Sequence, residues 1–142
     1  IPEDMRNRRA AAHKLTLYEL VRDPELYPLL QYLDAADLAL ERNPANLPAF
    51  VKNLTDPDEG MRWWAINGLK NLGPGAKSAQ EQILAAARND PAQEVRILAA
   101  WILHDFGHKD AYREVIADIK KAGIQSKSHY ETTIKLVESQ SS

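Results

Sequence analysis

Residues 54–73 and 88–107 align at an offset of 34, with six identities in 20 positions: Asp56/Asp90, Pro57/Pro91, Arg62/Arg96, Ala65/Ala99, Leu69/Leu103 and Gly73/Gly107. Met61/Val95 and Leu72/Phe106 are apolar in both copies. Each identity falls where a helix requires it. An Asp-Pro pair ends one helix and begins the next, because the carboxylate accepts backbone N–H bonds while the proline ring fixes φ and bars continuation from before. Met61, Trp64, Ala65, Gly68, Leu69 and Leu72 then recur at i, i+3, i+4, i+7, i+8 and i+11, the apolar stripe of one helix. Val95, Leu98, Ala99, Ile102, Leu103 and Phe106 repeat that stripe, and Gly73 and Gly107 supply the left-handed residue that closes each helix. Small Ala65 and Ala99 sit mid-stripe, where a neighbouring helix must come close.

A second helix precedes each of these two. Residues 46–54 carry Leu47, Phe50, Val51 and Leu54 on one face, and residues 77–88 carry Ala79, Ile83, Leu84 and Ala87. After Gly107 the pattern runs through Ala111, Val115, Ile116 and Ile119, and a last helix carries Tyr130, Thr133, Ile134 and Val137. The unit is a helix–turn–helix of roughly 34 residues, repeated about three times (46–76, 77–109 and 110–142). Residues 1–45 stand outside the repeat as a linker and capping helices. A short helix over 15–21 is halted by Asp23-Pro24, and a longer one over 26–40 carries Leu29, Leu30, Leu33, Ala36, Leu38 and Leu40 before Asn43-Pro44 closes it. The sequence therefore predicts an all-α fold.

The Trp-x-x-Leu-Gly-x-x-Tyr opening of tetratricopeptide repeats and the Thr-Pro-Leu-His of ankyrin repeats are both absent. The spacing Asp-Pro-x-x-x-[Met/Val]-Arg-x-x-Ala-x-x-x-Leu-x-x-x-Gly resembles the short HEAT repeat of bacterial proteins. That resemblance implies a short α-solenoid of helical hairpins with an N-terminal helical cap. It also implies that Asp56, Arg62, Asp90 and Arg96 form a polar ladder between stacked repeats.

Charge and composition narrow the function classes. A net charge of −2 lacks the basic excess of a nucleic-acid-binding domain, so no nucleic-acid partner is expected. Arg6, Arg8, Arg9 and Lys14, set against Glu3 and Asp4, read as a solvated terminal tail. The absence of cysteine removes disulfides, thiolate metal sites and thiol nucleophiles together. No apolar run approaches the roughly 18–20 residues of a membrane span, and no signal peptide is visible. A first residue of Ile rather than Met leads to the expectation that the chain is processed or cut from something longer.

Neither a Gly-x-Gly-x-x-Gly nor a Gly-Lys-Ser/Thr phosphate loop is present. His104 and His108 have the spacing of two metal ligands on one helix, but Gly107 between them should break the helix before the second ring aligns. Asp34 and Asp37 are expected to face water. No cofactor and no catalytic set are expected in the chain. Apolar side chains do recur beside the main stripe, at Trp63 and Ile66 in one copy and Ile97 and Trp101 in the other. They fit either a wide buried arc, since a stacked helix is packed from two sides, or a contact patch for another domain anchored by the indoles.

Ile1-Pro-Glu-Asp-Met5, the run from Tyr18 through Arg22-Asp-Pro to Tyr27-Pro-Leu29, and Leu33-Asp-Ala-Ala-Asp-Leu-Ala39 precede Asn46-Leu-Pro and the repeats. That order resembles the region following the catalytic domain in bacterial formylglycine-dependent sulfatases that end in HEAT repeats. The resemblance implies an accessory C-terminal domain whose partner is the catalytic domain of the same polypeptide, in a periplasmic or secreted enzyme. Calcium and the formylglycine, made within Cys/Ser-x-Pro-x-Arg, would lie in that catalytic domain, which this chain lacks. A freestanding HEAT adaptor for a protein or peptide is the alternative. Bilin lyases are short-HEAT relatives too, but no residue set here supports a bilin site.

Leu69→Ala and Leu103→Ala, at the centre of the two stripes, should each cost about 2–5 kcal/mol of stability. Urea denaturation measures this, and losses under about 0.5 kcal/mol would mean that these side chains face solvent.

Overall fold

The computed structural model describes residues 1–124 and 127–140, and among them every regular element is helical. The order is α1 (Glu3–Ala12), α2 (Leu17–Val21), α3 (Leu29–Glu41), a 3-10 turn (Pro44–Asn46), α4 (Leu47–Asn53), α5 (Glu59–Leu72), a second 3-10 stretch (Gly73–Ala79), α6 (Gln80–Asn89), α7 (Gln93–Asp105), α8 (Lys109–Ala122) and α9 (Lys127–Ser139). No described helix is long and apolar enough to cross a membrane.

The two motif helices are α5 and α7, beginning 34 residues apart, at Glu59 and Gln93. Helix α5 packs against α3, α4 and α7; α7 packs against α5, α6, α8 and α9. Being covered from several sides, α7 is buried along nearly its whole length, including Val95, Ile97, Leu98, Ala99, Ala100, Ile102 and Leu103. Leu69 and Leu103 are both buried in the main core. The chain leaves α5 through Gly73 (φ +56°) and α7 through Gly107 (φ +93°), conformations that would strain a side-chain-bearing residue.

Several boundaries differ from the sequence reading, for local reasons. Helix α6 starts at Gln80 rather than at 77, because Pro74 and Gly75 hold the preceding stretch in 3-10 form. Helix α3 starts at Leu29 rather than at 26: Asp23 caps a turn by accepting from the backbone N–H groups of Glu25 and Leu26, and Pro28 disfavours helical backbone at the residue before it. Helix α2 is held at its start by a reciprocal box in which the Thr16 hydroxyl accepts from Glu19 N–H while the Glu19 carboxylate accepts from Thr16 N–H.

The largest correction concerns the N-terminus. Residues 3–12 are helix α1, not a solvated tail. Met5 is fully buried in the main core, and Ala10 joins Leu20, Tyr27 and Tyr32 in a second apolar cluster.

Two glycines of α5 let its neighbours approach. The ring of Tyr32 from α3 lies too close to Gly60 to leave room for a Cβ there, and the ring of Phe50 from α4 does the same at Gly68. Replacing Gly68 with Ala would recover about 1 kcal/mol of helix propensity. It would also displace the Phe50 ring from a filled core, which costs about 1–3 kcal/mol. Gly68→Ala should therefore lower the urea midpoint, and adding Phe50→Leu should restore part of it. A rise in midpoint for Gly68→Ala alone would show that the ring does not press on this backbone.

Candidate interaction surface

Asp56 and Asp90 play the same local part in the two copies. Each carboxylate accepts from the backbone N–H two residues on, Asp58 and Ala92 respectively, both at 2.8 Å. Neither is the residue that caps the following helix. That position is Asp58 for α5, whose carboxylate accepts from Met61 N–H, and Ala92 for α7, which has no side-chain cap. Between the copies, Arg62 donates from Nε to Asp90 at 3.0 Å and also to the carbonyls of Asp56 and Pro57. Arg96 donates to the Ala87 carbonyl and to Asp118 of α8. One period beyond Asp90 the chain has Ile124, so Arg96 takes its carboxylate from α8 instead.

The aromatic and aliphatic positions beside the stripe do not form an exposed patch. Ile66 and Ile97 are buried in the main core, and Trp63 and Trp101 are half-buried against it. Trp63 donates its indole N–H to the Tyr130 hydroxyl at 3.0 Å and meets Trp64 edge to face. Trp101 lies beneath the Lys70 ammonium, 3.8 Å from its ring centre. Packing from several sides widens the buried arc of each motif helix: Ile66 and Ile97 fall inside it, and the two indoles lie at its edge. Trp64 is likewise half-buried, between the two apolar clusters.

Charge is concentrated instead where α1 meets α5 and α7. Glu94 has no solvent exposure, and Arg8 donates to both its carboxylate oxygens, at 2.6 and 2.9 Å. Arg9 donates to the Leu26 carbonyl and the Tyr32 hydroxyl, and pairs with Asp58 at 3.0 Å and Glu59 at 3.4 Å. Burial works against the charge on Arg8, but the hydrogen bonds and charge of Glu94 outweigh it and raise its pKa. Burial likewise raises the Tyr130 phenol, which lies near this cluster. The sequence carried a signal for it. Glu94 is a carboxylate in the same row as Ile97, Leu98 and Trp101, at the position that Gly60 fills in the first copy.

His104 is buried and packs edge to face on Tyr112, while His108 is exposed at the start of α8. Among the described residues no group of three or more His, Cys, Asp or Glu side chains is placed to hold a metal ion.

Most of the exposed large apolar side chains lie on α3, the others being Leu17 and Tyr18 on α2 and Leu136 on α9. Tyr32, Ala35 and Ala39 face inward, whereas Leu29, Leu30, Leu33 and Leu40 are 47%, 77%, 52% and 69% exposed. Four of the helix's five leucines thus lie outside, while the Tyr32 ring and the two alanines face inward. The reason is the close approach to α5, which requires small side chains on the packed face and a glycine opposite Tyr32. At the start of α3, Val21, Arg22, Pro24, Tyr27, Pro28 and Leu30 help to line an open cleft of about 280 Å³.

Truncating Arg8 to Ala would leave the Glu94 carboxylate buried without this partner. Breaking a buried pair costs about 3–5 kcal/mol, and the partial exposure of Arg8 puts the expected loss near the lower end. Converting Glu94 to Leu in the same chain should recover much of it, read as thermal midpoints of both variants. Equal stability of Arg8→Ala and the parent would show that α1 is not held by this pair. No protein-family model, curated protein or solved structure matches the chain.

Proposed function

We propose that this chain is a short HEAT-like α-solenoid that acts by binding rather than catalysis, as an accessory domain packed against the catalytic domain of a sulfatase-like hydrolase. The observation that carries the binding role is the outer face of α3, where Leu29, Leu30, Leu33 and Leu40 lie exposed on a single helix, whereas the other exposed large apolar side chains are spread over α2 (Leu17 and Tyr18) and α9 (Leu136). Monomeric proteins seldom leave a contiguous apolar face of this kind uncovered. The solenoid reading is supported by the 34-residue period shared by α5 and α7, by their packing on each other, and by the Arg62–Asp90 bond between the two copies.

The link to sulfatases rests on the resemblance of the N-terminal segment. Much of that segment forms α2, α3 and the corner between them, the region that carries the exposed leucines. A domain placed after a catalytic domain would present this region to its neighbour. Binding of a protein or peptide by a freestanding adaptor would use the same face.

Two measurements test the reading. The coding sequence upstream of Ile1 should encode an α/β domain with a Cys/Ser-x-Pro-x-Arg motif; an upstream sequence lacking it removes the sulfatase link. The chain alone, given a chromogenic aryl sulfate and calcium, should show background hydrolysis only, and turnover well above background would overturn the accessory role.

A further inference from the structure

Leu29, Leu33, Ala36 and Leu40 recur at i, i+4, i+7 and i+11, which aligns them along one side of α3. At about 100° per residue, this row lies about a quarter turn from the buried row of Tyr32, Ala35 and Ala39. On the side of the leucine row away from the core come Asp37, Leu30, Glu41 and Asp34, all exposed. Asp34 and Asp37 make no hydrogen bond or ion pair with any described residue. The Arg22 guanidinium does not pair with this edge but sits over the Tyr18 ring, 3.5 Å from its centre. The outer side of α3 is therefore an apolar row with one acidic border, ending at the open cleft beside Leu30.

We propose that this face receives an amphipathic α-helix of a partner domain, one whose apolar stripe is bordered by lysine or arginine. The leucine row matches the period of a second helix laid along it, and the unpaired carboxylates select the sign of that helix's border. The cleft at the α2–α3 corner takes one bulky apolar side chain from the partner, fixing its register. Charge also disfavours a second copy of this chain in an antiparallel arrangement, since Asp34, Asp37 and Glu41 would then face their own counterparts. The inference rests on the binding role proposed above and names the chemistry of the partner; it does not depend on the sulfatase link.

The probes are two synthetic helical peptides with the same leucine stripe and one phenylalanine. One carries lysines along the border and the other glutamates. Titrated into the isotopically labelled chain at low salt, the lysine peptide should bind tighter on the order of tenfold or more, with amide shifts confined to α3 and the α2–α3 corner. Raising the salt to about 0.5 M should shrink that preference. Asp34→Lys combined with Asp37→Lys should reverse it, and Leu30→Asp combined with Leu33→Asp should abolish binding of both peptides. All four side chains are exposed, so melting curves should confirm that each variant remains folded.

Equal affinity for the two peptides, binding of neither, or shifts centred elsewhere would each overturn the inference. So would self-association of the unmodified chain that Leu30→Asp abolishes, because the occupant would then be a second copy. A chain that binds the lysine peptide but whose upstream sequence lacks the sulfatase motif would retain this inference and lose only the enzyme link.

Discussion

The arrangement depends on how closely other helices can approach α5. Gly60 and Gly68 remove two side chains from that helix, and the rings of Tyr32 and Phe50 occupy the space. The Tyr32 contact brings α3 down onto α5 and places its hydroxyl within reach of Arg9. The same contact decides which side of α3 is covered. A helix drawn this close must present Ala35 and Ala39 inward, and its leucines are then left on the far side. The core contact and the exposed face are two results of one packing choice.

Electrostatics then fixes what apolar packing leaves loose. Helix α1 contributes few apolar side chains to the core, Met5 and Ala10 foremost, so hydrophobic burial gives it limited hold. Its arginines supply the rest by pairing with the acidic start of α5 and the buried Glu94 of α7. Such a pair adds little net stability compared with an apolar substitute, but it penalises any docking that leaves the carboxylate unpaired. It therefore selects where α1 lies as much as how firmly it is held.

The repeat carried most of the fold information in the sequence. An offset of 34, helix-period stripes and Asp-Pro boundaries locate α5 and α7, and their preceding helices follow from the same spacing. Periodicity gives a helix its apolar residues without saying which of two apolar rows is buried. On α3 the leucines were the conspicuous residues, yet Tyr32, Ala35 and Ala39 mark the packed side. Sequence-local charge counting failed for the same reason at residues 6–14. The partners of Arg8 and Arg9 lie far along the chain, at Glu94, Asp58 and Glu59, and no local window contains them. The positions beside the main stripes, Trp63, Ile66, Ile97 and Trp101, were ambiguous in sequence because a helix packed by several neighbours buries a wider arc than one packed on a single side.

The Arg8–Glu94 pair also sets an order of events during synthesis. Its members are 86 residues apart in the chain. At ribosomal rates of about 5–20 residues per second, that separation is roughly 4–17 s of elongation. For that interval a nascent α1 lacks the carboxylate that anchors it on α7, and full docking must await emergence of the second motif helix. Helix α1 is thus made before the helices that follow it here and is secured only once α7 has been made. Until then Arg9 can reach Asp58 and Glu59 at the start of α5, but Arg8 still lacks its carboxylate on α7.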